Sequence, residues 1–561
     1  MGDLNHFFTQ DQTRSQHTMT KPAQSNAAQS RGDGPYGPNR TTLPQMLAAV
    51  DLGSNSFRMV IARSMGHELQ LVDRLREGVR LAGCLDEHQH ITQEGFDRAL
   101  RALEIFGQRL QHFPVGSVRA VGTNTLRKAR NTQALLKVAQ EALGHQIEVV
   151  SGQEEARLIY LGVAHSLSSP SPRLVVDIGG GSTECIIGRG FDPQMAESLY
   201  MGCVSFTQRF FPGGKINAKR MRDAETAARL ELRAIKASFK QQGWDQAVGS
   251  SGTAQAIFHI LRLQGWSDQG ITQEGLERLR QELVTVGHCE QLSLEGLRRE
   301  RAMVLPGGFA ILAAVFDSLR IERMSVSHGA MREGLLYDLF GRLSSEDARE
   351  HPIRRFENQY RVDVEQARRV ESVALSCLEP VQQSWGLDPE LSRSFLRWSA
   401  RLHEIGLSVS HGAFHKHGAY LLEHSHMPGF SMQNQELLAL LVRGQRRKLI
   451  KGIFHNKLSK SRAKQAVRLC RLLRLACVLN RSRNPRQLPP LVLEAKGKRL
   501  SVSFPTGWLD LHPLTLADLD QEAEYMKDAG LVLRIAHHDE DATAPGSDQP
   551  SSTTVSEQTD E

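Results

Sequence analysis

The feature that most constrains this chain is one arrangement that occurs twice. Asp51-Leu-Gly-Ser-Asn-Ser56 and Asp177-Ile-Gly-Gly-Gly-Ser-Thr183 each end an apolar run with an aspartate, pass through glycine and hydroxyl residues, and enter a second apolar run. The two aspartates stand 126 residues apart. Helical periodicity over residues 96–113 and 133–143 alternates with short apolar runs at 118–121, 147–150 and 174–178, which predicts a duplicated pair of α/β lobes. Beyond about residue 346 the strand signals fade and helical text runs to about 483, followed by a short β-rich piece.

Glycine-rich turns of this kind direct backbone N–H groups at phosphate oxygens, because a residue without Cβ allows close approach and positive φ. Gly53, Ser54, Asn55 and Ser56 in one turn, and Gly179, Gly180, Gly181, Ser182 and Thr183 in the other, are therefore candidate phosphate ligands. Asp51 and Asp177, at the strand ends, suit Mg²⁺, a hard cation bound by one or two carboxylates together with phosphate and water. Plain hairpins use the same turn formers. Repetition with the aspartates in register favours the binding reading.

Charge is unevenly placed. The chain of 561 residues carries a net +7, yet residues 443–486 hold fifteen Lys or Arg and no acid, while residues 539–561 hold seven acids and no base. An exposed helix face normally interleaves signs, so the basic segment reads as a track for a long polyanion. Its candidate residues are Arg443, Arg446, Arg447, Lys448, Lys451, Arg468, Arg471 and Arg474. One aromatic, Phe454, is too few for base stacking, so no nucleic acid is expected. An anionic membrane surface is the competing partner. The longest apolar stretch, residues 308–316, falls short of the roughly 20 residues a spanning helix needs. Seven scattered cysteines without a Cys-x-x-Cys pair, and no secretory apolar run, point to a reduced cytoplasmic protein.

Five ordered motifs now stand together: residues 48–57 around Asp51, Ser151-Gly-Gln-Glu-Glu-Ala-Arg-Leu-Ile-Tyr160, residues 175–184 around Asp177, Gly249-Ser-Ser-Gly-Thr253 and Gly329-Ala-Met-Arg-Glu-Gly334. The set resembles the exopolyphosphatase and guanosine pentaphosphate phosphatase family over roughly residues 46–535. The resemblance implies two duplicated ribonuclease-H-like lobes, of the superfamily of actin, sugar kinases and chaperone ATPases, followed by a helical HD-like domain and a small β-rich piece. The boundaries it suggests are a disordered tail 1–45, lobes 46–159 and 160–345, the helical domain with the basic segment 346–483, a small α+β domain 484–538 and an acidic tail 539–561. It also implies that Glu155 orients the attacking water, that Arg127 faces the phosphate and that Glu184 helps position metal or water. Glu154 is left to stabilising a helix start. His403-Glu404, with His411, His415, His417 and His424, resembles an HD metal site lacking its Asp and an upstream His, and is read as a domain that has lost its metal.

The function expected on this basis is Mg²⁺-dependent, processive exopolyphosphatase activity on inorganic polyphosphate, by a homodimer. Hydrolysis of guanosine pentaphosphate is the alternative within the family. A kinase or chaperone-type ATPase, or a polyanion-binding protein without activity, are the alternatives of another class.

Overall fold

In a computed structural model of the chain the described residues are 46–65, 68–167, 171–343, 347–484 and 488–538. The two tails expected from composition lie outside them. The first sheet contains β1 (Met46–Leu52), β2 (Phe57–Met65), β3 (Glu68–Glu77), β4 (Val118–Gly122) and β5 (Ile147–Val149), in the order β3-β2-β1-β4-β5. The second contains β6 (Arg173–Ile178), β7 (Thr183–Arg189), β8 (Asp192–Leu199), β9 (Gln246–Gly249), β10 (Ile271–Thr272) and β11 (Arg323–Val326), in the order β10-β11-β9-β6-β7-β8. In both, an antiparallel three-strand meander is extended by parallel pairing of its first strand, β1 with β4 and β6 with β9. The duplication read from the two Asp-Gly turns is thus a duplication of topology.

Central strands bury both faces, so they read as unbroken apolar text; Leu47, Ala48, Ala49 and Val50 of β1 are all buried. The edge strands β3 and β8 did not stand out in the sequence. Their text, ELQLVDRLRE and DPQMAESL, carries the charge that keeps an open sheet edge from pairing with other chains.

Between the sheets lies a pair of helices, Gly152–Ser166 and Met331–Leu343, whose Ile159, Val163, Leu335 and Leu336 share one core with Val60 of the first sheet and Val175 and Ile186 of the second. A Cβ on Gly334 would sit 1.8 Å from the Leu158 carbonyl oxygen, and one on Gly162 would sit 2.0 Å from that of Ala330. These glycines let the two backbones touch, which is what the Gly329–Gly334 motif does. A boundary at 159/160 consequently falls inside a continuous helix that packs on both sheets.

The C-terminal part is helical, with β12 (Val492–Lys496), β13 (Arg499–Pro505) and β14 (Val532–His538) forming a third sheet in the order β12-β13-β14. No helix among the described residues is long and apolar enough to cross a membrane.

The helix Lys460–Leu479 corrects the expected polyanion track. It is the central helix of its domain, and Arg471 and Arg474 are 1% and 0% exposed. Arg474 donates to both carboxylate oxygens of Glu522, at 2.6 and 2.7 Å, and to the carbonyls of Gly444 and Arg447, both at 2.6 Å. Arg471 donates to the Val532 carbonyl at 2.9 Å, and Arg468 donates to that of Trp385. These guanidiniums cross-link layers of the domain, because a long side chain on an enclosed helix must find acceptors in its neighbours. Arg443, at the end of the helix Met432–Gly444, is exposed, as are Arg447 and Lys448, while Arg446 and Lys451 are half-buried, on the segment that precedes Lys460–Leu479. Arg474→Ala, which strands the buried Glu522 carboxylate, is expected to cost about 3–5 kcal/mol, while Arg443→Ala at an exposed position changes stability by about 0.5 kcal/mol or less; thermal melts of the two variants check this.

Candidate active site

The two Asp-Gly turns face each other across a polar cleft of about 140 Å³. Asp51, Gly53, Ser54, Asn55 and Ser56 line it from one side, and Asp177, Gly179, Gly180 and Ser182 from the other. A Cβ on Gly180 would lie 3.2 Å from that of Ser54, and one on Gly181 would lie 2.4 Å from Asn124 Nδ2. Glycine is therefore required by close approach, and none of Gly53, Gly179, Gly180 or Gly181 takes the positive φ that the turn chemistry suggested. Two predicted phosphate ligands, Gly181 and Thr183, are not part of the cleft lining. Gly181 packs on Asn124, and Thr183 is buried with its hydroxyl donating to the Met201 carbonyl at 2.7 Å.

Burial dominates the electrostatics. It pushes Asp51 up from 3.8 to about 7, with Arg58 opposing the shift and Glu155 and Asp177 adding to it. Asp177 is raised for the same reason, although the Ser250 hydroxyl donates to its Oδ2 at 2.5 Å and Arg58 lies near. Glu184, 1% exposed, is driven well above the carboxylate range by burial and then by Glu155 and Asp177, while accepting from Ser198 Oγ at 2.8 Å. Acids crowded in this way are poised to hold a proton or to meet a cation.

Glu155 lies on the first turn of the Gly152–Ser166 helix, whose start is capped by Ser151 Oγ accepting from the Glu154 amide at 3.1 Å. Arg127 Nη1 donates to Glu155 Oε2 at 2.7 Å and to the Val150 carbonyl at 2.9 Å. Burial raises the Glu155 carboxyl and Arg127 partly offsets this. The neighbouring Glu154 faces away from the cleft. It takes two bonds from Arg157, at 2.7 and 2.8 Å, and the amide of Gly429 at 2.9 Å.

Three arginines in the cleft were not singled out from the sequence: Arg58, Arg301 and Arg332. Arg58 pairs across the first hairpin with Asp51, just as Glu184 pairs across the second with Asp177, so the 126-residue offset that relates the turns also relates these two. Applied to Glu184, that offset would have found Arg58. Burial lowers Arg58 to about 10, and the like charges of Arg332 and Arg301 add to the shift. A Cβ on Gly252 would lie 2.0 Å from the Arg301 guanidinium, so the Gly249–Thr253 motif makes room for that arginine. The rest of the motif is scaffold: Ser251 caps the next helix and Thr253 bonds the Ile178 carbonyl at 3.2 Å. Mutually repelling buried guanidiniums above hydroxyl-lined turns make an anion site.

In the helical domain, the buried His403 donates through Nδ1 to the Ala400 carbonyl at 2.6 Å, and Glu404 is bound by Arg483 at 2.6 Å. A guanidinium thus neutralises the acid of the HD-like pair. Among the described residues no group of three or more His, Cys, Asp or Glu converges to hold a metal.

Comparison with known proteins adds to this geometry. The profile of the Ppx/GppA phosphatase family matches residues 60–343, and that of the Ppx/GppA phosphatase domain III matches residues 348–523. The chain is 40% identical over 491 residues to the guanosine-5'-triphosphate,3'-diphosphate pyrophosphatase of Vibrio campbellii, covering 87% of this chain and 98% of that protein. It is 40% identical over 490 residues to the protein of the same name from Vibrio vulnificus, with the same coverage. The crystal structure of an exopolyphosphatase from Cytophaga hutchinsonii is similar at 24% identity and a TM-score of 0.49, covering 54% of this chain and 98% of that one.

The raised pKa of Asp51 sets a sign. A carboxyl that titrates near 7 when folded and at 3.8 when unfolded loses stability as pH rises between those values, and the full cost is present above 7. Asp51→Asn is therefore expected to stabilise the ligand-free protein by on the order of 2 kcal/mol at pH 8 and little at pH 4, read from thermal melts at both values.

Proposed function

The chain belongs to the Ppx/GppA phosphatase family, and from that premise we propose that it hydrolyses the terminal 5'-phosphate of guanosine pentaphosphate. The observation that carries the choice of substrate is its 40% identity, over nearly the whole length of each, to the two Vibrio proteins of that name. The polyphosphate reading expected first leaned on the basic segment, and burial of Arg471 and Arg474 removes part of that support. The exposed Arg443, Arg447 and Lys448 keep polyphosphate as the second substrate reading.

In this reading the terminal phosphate lies between the two turns, with its charge met by Arg58, Arg301 and Arg332. Phosphoryl transfer to water is chiefly positioning and charge neutralisation. Arg127 fixes Glu155 Oε2, which leaves the other carboxylate oxygen to accept a hydrogen bond from the attacking water and take its proton. The raised pKa of the Glu155 carboxyl favours that transfer. Water oxygen bonds to phosphorus, the bridging bond breaks, and orthophosphate leaves with guanosine tetraphosphate as the other product. Asp51 and Asp177, hard oxygen donors from opposite turns, are the residues that would hold Mg²⁺, which would supply further neutralisation of phosphate charge.

Purified protein is expected to release phosphate from guanosine pentaphosphate at least tenfold faster than from long-chain polyphosphate, with Mg²⁺ required. The reverse order would restore the exopolyphosphatase reading. Glu155→Gln is expected to lower kcat by about 10²–10⁴ while leaving substrate binding intact, measured by single-turnover phosphate release and by calorimetry. Arg58→Ala is expected to act mainly on KM, raising it about tenfold or more.

A further inference from the structure

A second polar cavity, of about 200 Å³, lies in the helical domain and shares no residue with the catalytic cleft. Its acids are already taken. Glu404 is bonded by Arg483, which also donates to Asp363 at 2.7 Å, and Glu522 is bonded twice by Arg474. Burial lowers the pKa of the His403 ring, whose Nδ1 donates to the Ala400 carbonyl at 2.6 Å.

The opposite wall is basic. Arg446 and Arg447 line it, and neither forms an ion pair with a carboxylate among the described residues. Burial and the like charges of Arg447 and Arg481 depress Arg446, whose guanidinium lies 4.9 Å from the centroid of the Phe414 ring. Arg447 has a φ of 65°, a conformation rare outside glycine, and its carbonyl is held by Arg474 Nη2 at 2.6 Å. The buried pair Arg474–Glu522 therefore fixes the turn that presents two uncompensated guanidiniums to the cavity. Phe414 and Tyr525 add aromatic faces to the same lining.

We propose that this cavity binds a phosphorylated nucleoside, with its phosphates at Arg446 and Arg447 and its base against Phe414 or Tyr525, while Arg481, which donates to Asp518, adds positive charge at the rim. Guanidinium groups without carboxylate partners suit phosphate oxygens, and aromatic rings in the same lining suit an attached base. The aromatic rings in the lining, which a chain of bare phosphates would not use, separate this ligand from a long inorganic chain. The inference stands apart from the catalytic reading, because it uses other residues in another domain.

The test is calorimetric titration of the full chain with GDP, with ADP and with tripolyphosphate. Arg301→Glu silences the catalytic cleft in one background. In that background GDP or ADP is expected to bind one to one, at least tenfold more tightly than tripolyphosphate. Adding Arg446→Glu with Arg447→Glu is expected to weaken that binding at least tenfold, with the melting temperature unchanged. Should Arg301→Glu unfold, the wild-type chain serves, and its two-site nucleotide isotherm is expected to fall to one site in the Arg446→Glu, Arg447→Glu variant. Absence of nucleotide binding outside the cleft, binding that survives the double charge reversal, or equal affinity for tripolyphosphate would each overturn the proposal.

Discussion

One buried carboxylate, Asp338, ties the catalytic lobes together. It is fully buried on the Met331–Leu343 helix and accepts from Arg119 of β4, from Arg157 of the Gly152–Ser166 helix, and from Arg342 at 2.8 Å. Burial alone would raise its pKa; the three guanidiniums outweigh it and hold the group far below the usual carboxylate range. A charge so placed is tolerable only while every partner is present. The network continues through Glu154 to the Gly429 amide, and Arg342 closes it on the Gly429 carbonyl at 2.7 Å. The helical domain is thereby fastened beside the residue that precedes Glu155. Gln433 and Asn434 add bonds to Val149 and Glu148 just upstream. The catalytic glutamate of the proposed mechanism is thus positioned from behind by a domain that contributes no residue to the cleft lining.

The cleft itself is built by breaking the symmetry of a duplication. Two hairpins of the same topology meet turn to turn, yet the position across from each aspartate carries a base in one, Arg58, and an acid in the other, Glu184. One hairpin thus brings a guanidinium to the cleft, while its twin keeps a buried carboxyl whose pKa burial raises. Ionising the acids in the absence of ligand is costly, which is the usual relation between a pre-organised polar site and the stability of the fold around it.

Much of this was legible in the chain. The twin Asp-Gly turns announced the lobes because both sit at the ends of central strands, where text is apolar by necessity. Glu155 and Arg127, brought in by family resemblance, do meet, at 2.7 Å. Less visible were β3 and β8, whose half-solvated text lacks a clear period, and Arg301 and Arg332, which reach the cleft from segments more than 110 residues beyond the second turn. Arg58 was within reach of the sequence, since the repeat offset already linked it to Glu184.

What the sequence determined by itself was local and periodic: two repeated turns, the strands that carry them, and the capped start of the helix bearing Glu155. What only the tertiary structure decided was which charges are available. Arg443 and Arg474 belong to one basic run, yet the first is exposed and the second is sealed against Glu522, residues that the sequence places 48 apart. A charge count sums side chains without regard to direction, whereas solvation depends on which neighbours enclose each one, and that is settled only when distant segments pack.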